Sequence, residues 1–565
     1  MFRPSGVRPL VETASGGFTY SYYLNGDLSD DNSPGWWAQF TVESVAGQVT
    51  SAGDSLFNVF TLATYTPTGQ LAHAWVSGDG SSGAMQITNT YNNRLQPVTL
   101  SAIAPLPGGA SILNLTYNFN LGNGTSGSDN GNVIQIVNGK DGNRTQNFVY
   151  DPLNRIWQAY TGGPNWGETY SPTAYAPGTA FSSSHAGIDA WGNLTNRSGV
   201  TGKTNLEALS CAGGTNNQLN TCFTYDAAGN LIQNGSVTYT YDAENRLLAT
   251  AGISYVYDGD GNRIEKCTEL VSNGVAKPGQ CASNATGTFY WLHQYGGTLN
   301  ESDLGANFTA VYDLIRGRIA ARIDKPSNVV HYYFHDHLGS TSVVTDASGN
   351  IQKESDYYPY GGEIVITNND SNHYKFTGKE RDTESGLDNF GARYDASSLG
   401  RFMTPDWAAK PTTVPYALFG DPQTLNLYAY VRNNPVSRAD ADGHCADHYK
   451  DGTCKVNVDP KTGEAGAKAG KQLEGVLNKY DKAVNAVNDK DKFNIRDSKG
   501  KVVGSMTGQE IKAVWNGTSF TVTDKSFNNG GAGGGTGGTW NGDSFSGHSE
   551  LNPGRVAHPS GGRWF

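Results

Sequence analysis

A short motif built on Tyr-Asp recurs at a fixed interval in the middle of the chain, and this periodicity most limits the possible folds. The clearest copies begin at Tyr225, Tyr241 and Tyr257, so their tyrosines are 16 residues apart. In each copy Tyr can end a strand, Asp can bond nearby backbone in a turn, Gly or Asn can take a positive φ, and an apolar residue can begin the returning strand. Weaker copies occur at 91–95, 150–156 and 189–194. The period predicts an array of stacked β-hairpins.

The composition agrees with a chain of many short strands. Of 565 residues, 72 are Gly and 30 are Tyr, and the charged fraction is 16%, which suits strands joined by tight turns. The chain exceeds the size at which one hydrophobic core keeps growing, so two or more structural units are expected. Because it lacks an apolar run of about 18 residues and an apolar segment near its start, we expect neither a membrane span nor an N-terminal secretory signal in this chain.

A denser series of motifs follows between Tyr333 and Gly443. In chain order it contains Asp-His-Leu-Gly-Ser-Thr at 336–341, Tyr-Tyr-Pro-Tyr-Gly at 357–361, Phe-Thr-Gly-Lys-Glu at 376–380, Gly-Ala-Arg-Tyr-Asp at 391–395, Gly-Arg-Phe at 400–402, Pro-Asp at 405–406, Asn-Asn-Pro at 433–435 and Asp-Ala-Asp-Gly at 440–443. This series resembles the RHS repeat-associated core domain, and the Tyr-Asp units resemble the YD repeats of RHS and teneurin-like proteins. The resemblance implies a mainly β fold, in which an antiparallel sheet winds into a spiral, cocoon-like YD shell with an RHS core. An ordinary β-sandwich with Tyr-Asp turns is the alternative.

We predict three parts, namely a YD-repeat shell at 1–330, an RHS core at 331–444 and a variable C-terminal domain at 445–565. Residues 1–444 carry 25 basic and 39 acidic side chains, whereas residues 445–565 carry 16 and 13. The tail also changes to helical spacing over 464–488 and to a hairpin pattern over 493–503, which predicts a small α+β domain. Its mildly basic charge leaves nucleic acid open as a target, although such a charge is also ordinary for a soluble domain.

Three residues of the RHS-like core could carry chemistry. In family members that cut themselves, an aspartate-type reaction releases the C-terminal segment just after a pattern close to Asp-Pro-x-Gly-Leu. By motif position, the resemblance places a supporting arginine at Arg393, two acids at Asp406 and Asp440, and the cut between His444 and Cys445. Two close carboxylates cannot both ionise easily, so one can hold a proton while the other activates water. A guanidinium could stabilise developing negative charge.

The chain departs from the family pattern beside the expected cut. Ala441 stands where the family has Pro, and His444 stands where it has a hydrophobic residue, usually Leu. Proline would fix φ and an apolar residue would fill a pocket beside the bond, so both supports are missing. Self-cleavage therefore stays open beside the alternative that Asp406 and Asp440 are turn residues of a non-cleaving core.

The end of the tail concentrates polar groups that could form an effector site. These residues are His548, Glu550, Arg555 and His558. They could serve as general base, partner and anion clamp in a hydrolase or nuclease. Scattered His and Glu near a terminus are, however, more often solvated surface, and this stretch has no recognisable toxin-family pattern.

No metal or cofactor is predicted. On a strand, His335 and His337 would share one face, as a metal pair can, but no third ligand can be named and a structural role is favoured. There is no CxxC motif, so a zinc ribbon is unsupported, whereas disulfides in an oxidising compartment are open. The six cysteines form close pairs in sequence, Cys211 with Cys222, Cys267 with Cys281, and Cys445 with Cys454.

Two classes of function remain. The first is an RHS-type polymorphic toxin, or its distal fragment, whose shell encloses or presents its own C-terminal domain as an effector for interbacterial competition. This interpretation implies a bacterial origin, an immunity protein, a secretion apparatus, and a secreted or cell-surface location reached without an N-terminal signal in this chain. The second is a non-enzymatic cell-surface or structural YD-repeat protein with an inert C-terminal appendage. Family shells are usually longer, so this shell need not close.

Overall fold

The fold is seen in a computed structural model, which describes residues 48–443 apart from 54–57, 79–82, 121–127, 206, 293–296, 316, 407–421 and 441; outside that range it describes residue 490 and the strands named below. Within these residues the fold is almost entirely antiparallel sheet, which confirms the mainly β prediction. Helical structure here is limited to short 3₁₀ turns at Gly142–Arg144, Ser183–His185, Thr215–Asn217, Phe376–Gly378, Pro422–Leu425 and Tyr430–Asn433. Among the helices described, none has the length and apolarity needed to cross a membrane.

The first sheet has 15 strands in strict chain order, each hydrogen-bonded to the next. The strands are β1 (Thr19–Tyr22), β2 (Leu28–Asn32), β3 (Phe40–Val45), β4 (Gln48–Gly53), β5 (Asn58–Tyr65), β6 (Leu71–Val76), β7 (Met85–Tyr91), β8 (Pro97–Ile103), β9 (Ser111–Asn118), β10 (Gln135–Asn138), β11 (Gln146–Tyr150), β12 (Ile156–Thr161), β13 (Gly167–Thr169), β14 (Asn196–Gly199) and β15 (Leu209–Ser210). Sequential pairing is what a stack of hairpins produces.

The second sheet also has 15 strands and keeps chain order, except that β22 pairs only with β21. The strands are β16 (Phe223–Tyr225), β17 (Leu231–Asn234), β18 (Val237–Tyr241), β19 (Leu247–Thr250), β20 (Ile253–Tyr257), β21 (Arg263–Ser272), β22 (Val275–Cys281), β23 (Gly287–Leu292), β24 (Thr298–Ser302), β25 (Phe308–Ile315), β26 (Arg318–Asp324), β27 (Val329–His335), β28 (Thr341–Thr345), β29 (Ile351–Tyr357) and β30 (Glu363–Asn368). Strand β27 crosses the predicted division between 330 and 331, and that division stays a prediction.

The predicted Tyr-Asp turn is present in each of the three clearest repeats. In the middle repeat, Oδ1 of Asp242 accepts hydrogen bonds from the backbone N–H of Glu244 and of Arg246, both at 2.9 Å. The residue that takes the positive φ is Asn245, at 62°. The flanking repeats use glycine at the same point, with φ of 92° at Gly229 and 84° at Gly261. The turn chemistry that the motif predicts therefore sets the hairpins.

The repeat tyrosines join each hairpin to the one before it. The Tyr241 hydroxyl donates to the carbonyl oxygen of Leu231 at 3.0 Å, and the Tyr257 hydroxyl donates to that of Leu247 at 2.8 Å. In both cases the acceptor lies 10 residues earlier, on the returning strand of the preceding repeat. The tyrosine therefore does more than end a strand, because its hydroxyl ties adjacent repeats together.

The described residues between 369 and 443 follow the second sheet and form a largely buried unit, here called the core segment. It contains a small antiparallel sheet of β31 (Glu380–Arg381), β32 (Asp388–Asn389), β33 (Tyr394–Ala396) and β34 (Arg401–Phe402). The rings of Phe390, Phe402 and Tyr430 pack together with centroids 5.6–5.7 Å apart. The core segment also bonds to both large sheets or their connections, for example between Leu231 N and Met403 O at 2.9 Å and between the Asn132 and Asn434 side chains at 2.8 Å.

Two of the three cysteine pairs are disulfides, Cys211 with Cys222 and Cys267 with Cys281. The third pair, Cys445 with Cys454, lies outside the described residues. The first disulfide closes part of the connection between the two large sheets, because β15 ends at Ser210 and β16 begins at Phe223.

The described tail strands form separate pairs. They are β35 (Val456–Val458) with β38 (Phe520–Val522), β36 (Lys492–Arg496) with β37 (Val502–Thr507), β39 (Gly538–Trp540) with β40 (Phe545–Gly547), and β41 (Glu550–Leu551) with β42 (Val556–Ala557). The pairing of β36 with β37 is antiparallel and confirms the predicted hairpin. The predicted helix at 464–488 lies outside the described residues. The tail boundary at 444/445 stays a prediction.

Candidate functional site

The core segment brings together the three residues assigned to self-cleavage. Nη2 of Arg393 lies 3.3 Å from a carboxylate oxygen of Asp406 and 3.6 Å from one of Asp440. All three residues are buried, with exposed fractions of 4%, 8% and 3%. A single nitrogen therefore links two acids that are 34 residues apart in sequence and that water scarcely reaches.

The arginine is held by the strand arrangement of the core segment. Arg393 directly precedes β33, and its backbone carbonyl accepts from Phe390 N–H at 3.0 Å. Its guanidinium carbon lies 3.7 Å from the centre of the Phe402 ring on β34. This stacking leaves the edge of the guanidinium free to make hydrogen bonds.

Those hydrogen bonds fix two other parts of the core segment. Nη1 of Arg393 donates to the carbonyl oxygen of Leu427 at 3.0 Å, and Nε donates to that of Gly443. The Leu427 carbonyl also accepts from the backbone N–H of Asp406 at 2.8 Å. Arg393 thus positions both the backbone beside Asp406 and Gly443, which lies two residues before Cys445 and the expected cut.

Asp440 sits in a tight turn at the end of the core segment. Its Oδ1 accepts from the backbone N–H of Asp442 at 3.1 Å and of Gly443 at 2.7 Å. Gly443 has φ of 81°, and a Cβ there would lie 3.0 Å from Arg393 N and 3.1 Å from Phe390 Cβ, so glycine is needed both for conformation and for space. Burial raises the pKa of Asp440, and the Arg393 guanidinium offsets part of that rise.

The arrangement can support acid–base chemistry on a nearby peptide bond. Asp440 is the acid whose environment favours the protonated form, because it is buried and has Asp442 beside it. Asp406 faces the same cation, because one of its carboxylate oxygens lies 3.3 Å from Nη2 of Arg393. A proton-holding acid and a carboxylate beside one arginine are the groups that an aspartate-type hydrolysis requires.

Part of the predicted site lies outside the described residues. This applies to Ala441, to both sides of the expected cut at His444 and Cys445, and to the tail residues His548, Arg555 and His558. Glu550 belongs to β41, but only its backbone is described. The four tail residues are therefore not brought together by any described contact.

The two histidines weighed as a metal pair bind different backbone groups. Nε2 of His335 contacts the carbonyl oxygen of Ile319 at 2.8 Å, and Nε2 of His337 contacts that of Val436 at 2.7 Å. Burial lowers the pKa of His335 to about 4 and also lowers that of His337. Both rings are therefore neutral donors that tie strands and core segment together.

Sequence reasoning missed the groups that support the arginine. Phe402 belongs to the Gly-Arg-Phe motif, but the motif alone does not predict that its ring stacks against Arg393. The Leu427 carbonyl has no sequence signal, because any residue supplies one. Tyr430 is also buried beside the site, and its phenol lies close enough to Asp440 for the two groups to affect each other's charge.

Comparisons with known proteins extend over the shell and the core segment. Residues 299–436 match the family model described as Teneurin YD-shell. The toxin subunit YenC1 of Yersinia entomophaga is 29% identical over 161 residues, which cover 27% of this chain and 15% of that protein. The tRNA3(Ser)-specific nuclease WapA of Bacillus spizizenii is 30% identical over 193 residues, which cover 33% of this chain and 7% of that protein.

Among solved structures, a mutant of the Photorhabdus luminescens Tc holotoxin pore matches with a TM-score of 0.56 and 19% identity. The match covers 77% of this chain and 22% of that chain. At this level of identity the likeness concerns the fold. The present chain thus spans at most 22% of the length of these three proteins.

Proposed function

We propose that this chain, which belongs to the RHS/YD-shell family, is an RHS-type toxin, or part of one, whose core segment cuts the chain between His444 and Cys445. The shell would enclose or present residues 445–565, and the cut would free them as an effector. The proposal joins two elements, a self-cleavage site and a toxic cargo, and each has its own support and its own test.

The contacts of a single residue, Arg393, carry the self-cleavage proposal. Arg393 approaches Asp406 and Asp440 through Nη2 and bonds the carbonyl oxygen of Gly443 through Nε. Gly443 precedes His444, so the arginine fixes the chain one residue before the expected scissile bond. A purely structural turn at Asp440 would not need the same guanidinium to reach a second buried acid.

The reaction is a hydrolysis with water as the other reactant. The Asp406 carboxylate takes a proton from water while the water oxygen attacks the carbonyl carbon of His444, and Asp440 donates its proton to the carbonyl oxygen. When the tetrahedral intermediate collapses, the C–N bond breaks and its nitrogen, which becomes the amine of Cys445, takes the proton held by Asp406. The carbonyl re-forms, Asp440 regains its proton, and His444 ends as a carboxylic acid. Arg393 holds the two acids and stabilises the negative charge that develops.

Two lines support the toxin assignment. YenC1 is a toxin subunit and WapA is a tRNA nuclease by description, and both share sequence with this chain. The change in charge and sequence pattern after residue 444 fits a separate cargo. The proposed partners are an immunity protein and a secretion apparatus, the proposed location is outside the cell or at its surface, and the proposed source is a bacterium. The effector would be a hydrolase or nuclease using His548, Glu550, Arg555 and His558.

Self-cleavage is tested by electrophoresis of the purified full-length chain under denaturing conditions. We expect a large piece ending at His444 and a small piece whose N-terminal sequence begins at Cys445. Asp406→Asn and Asp440→Asn should each leave one intact band, because an amide cannot cycle a proton as a carboxylate does. Asp346→Asn alters an exposed hairpin turn of the shell and should cut like the wild type. Intact wild type, or cutting by both core variants, would refute the proposal.

The toxin assignment is tested separately from the cut. Residues 445–565 are expressed alone in bacteria, with and without the product of the neighbouring gene. Growth arrest that the neighbour relieves supports an effector with an immunity protein. Normal growth favours the alternative of a structural or cell-surface YD-repeat protein with an inert appendage.

A further inference from the structure

Asp395 is a buried acid that the proposed reaction does not use. It has an exposed fraction of 0%, and neither of its carboxylate oxygens has a hydrogen-bond partner within the part of the chain that the structure describes. Its cross-strand neighbour Asp388 is equally buried but is paired with Arg381, at 2.9 Å from Nε. An ionised carboxylate without a partner is costly to bury, so its position calls for a physical reason.

The small sheet of the core segment directs Asp395 toward the cleavage site. Asp395 on β33 pairs directly with Asp388 on β32 and with Phe402 on β34. Directly paired residues in an antiparallel sheet project from the same face. Because the Arg393 guanidinium covers the Phe402 ring at 3.7 Å, Asp395 and that guanidinium share this face.

The surroundings favour the uncharged form of Asp395. Burial raises its pKa well above the usual range, the charge of Asp388 raises it further, and the charges of Arg381 and Arg393 act in the opposite direction. The charge of Asp440 also raises it, which places the two acids within electrostatic reach of each other. The charged and titratable groups that face Asp395 are Asp388, Arg381, Arg393, Asp440, Tyr360 and Tyr430.

The side chain of Tyr430 lies near both Asp395 and Asp440. Its ring is fully buried against Phe390 and Phe402, and the charges of both Asp395 and Asp440 act on its phenol. The backbone N–H of Asp440 also acts on the phenol oxygen as a hydrogen-bond donor. The buried phenol of Tyr430 therefore lies beside Asp440 and within electrostatic reach of Asp395.

We propose that Asp395 is a third acid of the self-cleavage site, where it shares one proton with Asp440 and so keeps that proton at the site at neutral pH. The inference rests on the proposed self-cleavage. In this role Asp395 is a positioning residue, because it acts through Asp440. When Asp440 has lost its proton, Asp395 supplies one and becomes the carboxylate, so the pair still holds the proton that the reaction needs.

The test uses the full-length chain, recovered uncut from inclusion bodies in denaturant and refolded by dilution into buffers from pH 5 to 8. Cleavage is followed on denaturing gels for the wild type, Asp395→Asn and Asp346→Asn. Asp395→Asn should cut within about threefold of the wild type at pH 5 but about tenfold more slowly at pH 7.5, because Asp440 must then hold its proton alone and each pKa unit changes the protonated fraction about tenfold. Asp346→Asn, which removes a carboxylate from an exposed hairpin turn of the shell, should cut like the wild type at every pH.

A second readout does not depend on cleavage. Because the folded pKa of Asp395 is raised, the wild type loses stability relative to Asp395→Asn as the pH rises above the unfolded value of about 4. Both proteins are measured in the uncut Asp406→Asn background. The melting temperature of Asp395→Asn relative to that of its parent should therefore increase from pH 5 to pH 8. A constant difference in melting temperature, or a cleavage defect independent of pH, would overturn the inference while leaving the proposed function intact. If the wild type cuts at no pH, the proposed function fails and the role of Asp395 fails with it.

Discussion

Nε of Arg393 donates a hydrogen bond to the carbonyl oxygen of Gly443, 50 residues further along the chain. The same guanidinium bonds the Leu427 carbonyl and approaches Asp406 and Asp440. Four groups from separate parts of the core segment therefore meet one planar cation. A lysine ammonium is compact and cannot contact all four, so arginine is required by shape as well as by charge.

Replacement of Arg393 with lysine should impair both cleavage and folding. Arg393→Lys keeps the charge but loses the carbonyl contacts, and we expect cleavage to slow at least about tenfold. The melting temperature should also fall, since buried acids lose part of their pairing. Arg94→Lys is the control, because Arg94 is more than half exposed and pairs with Asp129 at the surface. Equal behaviour of the two variants in the gel assay and in thermal unfolding would exclude the proposed role of Arg393.

Restoring the family pattern beside the cut should accelerate cleavage. Ala441→Pro would fix φ near the scissile bond, and His444→Leu would supply the missing apolar side chain. If the acids are in place and only the pose of the chain is suboptimal, the double variant should cut faster than the wild type after refolding. The rate is read from the appearance of the small fragment. An intact double variant beside an intact wild type would show that Asp406 and Asp440 are structural.

Many hairpins of the shell follow from local turn chemistry. They can be predicted from the sequence wherever the full Tyr-Asp motif is present. The hairpin at Asp303 was missed because Ser302 stands where the motif has tyrosine, yet Asp303 accepts from Gly305 N–H at 2.9 Å and Asn307 N–H at 2.8 Å. The hairpin at Asp346 was missed for the same reason. A search for Asp followed four residues later by Asn would have found both.

The residues of the candidate cleavage site could be predicted only in part from the sequence. Motif order identified Arg393, Asp406 and Asp440, but their meeting depends on the Phe402 ring and the Leu427 carbonyl, which come from other parts of the core segment. The burial of Asp395 could not be predicted from its local motif. As the Asp of a Tyr-Asp pair it would be interpreted as an exposed turn residue, whereas tertiary packing buries it completely.

The hydroxyl of a repeat tyrosine should contribute measurably to shell stability. Tyr241→Phe removes the bond to the Leu231 carbonyl at 3.0 Å and leaves that carbonyl without this donor. We expect a loss of about 1 kcal/mol in the free energy of unfolding. Tyr239→Phe, on the same strand, is the control, because no hydrogen bond from its hydroxyl is seen among the described residues. The two variants are compared by denaturant unfolding, and losses of equal size would argue against the inter-repeat bond.

His331 is held between two acids on the shell wall. Nε2 lies 3.0 Å from a carboxylate oxygen of Asp324, and Nδ1 lies 2.9 Å from one of Asp370. Arg322 contacts the same two carboxylates, at 2.6 and 2.8 Å. Burial lowers the pKa of His331, but the two acids outweigh burial and raise it to about 9. The imidazolium is therefore the form that the folded shell favours at neutral pH.

Replacement of His331 should destabilise the shell in a pH-dependent way. Because its folded pKa exceeds the unfolded value of about 6.5, the stabilisation is fully present below pH 6.5 and is lost as the pH rises through about 9. His331→Gln should melt about 2 °C or more below the wild type at pH 6, and the gap should narrow by pH 10. His185→Gln, at an exposed position, should show no such trend. A gap for His331→Gln that stays constant from pH 6 to pH 10 would mean that the ring contributes by packing, because a charge contribution must disappear when the ring loses its proton.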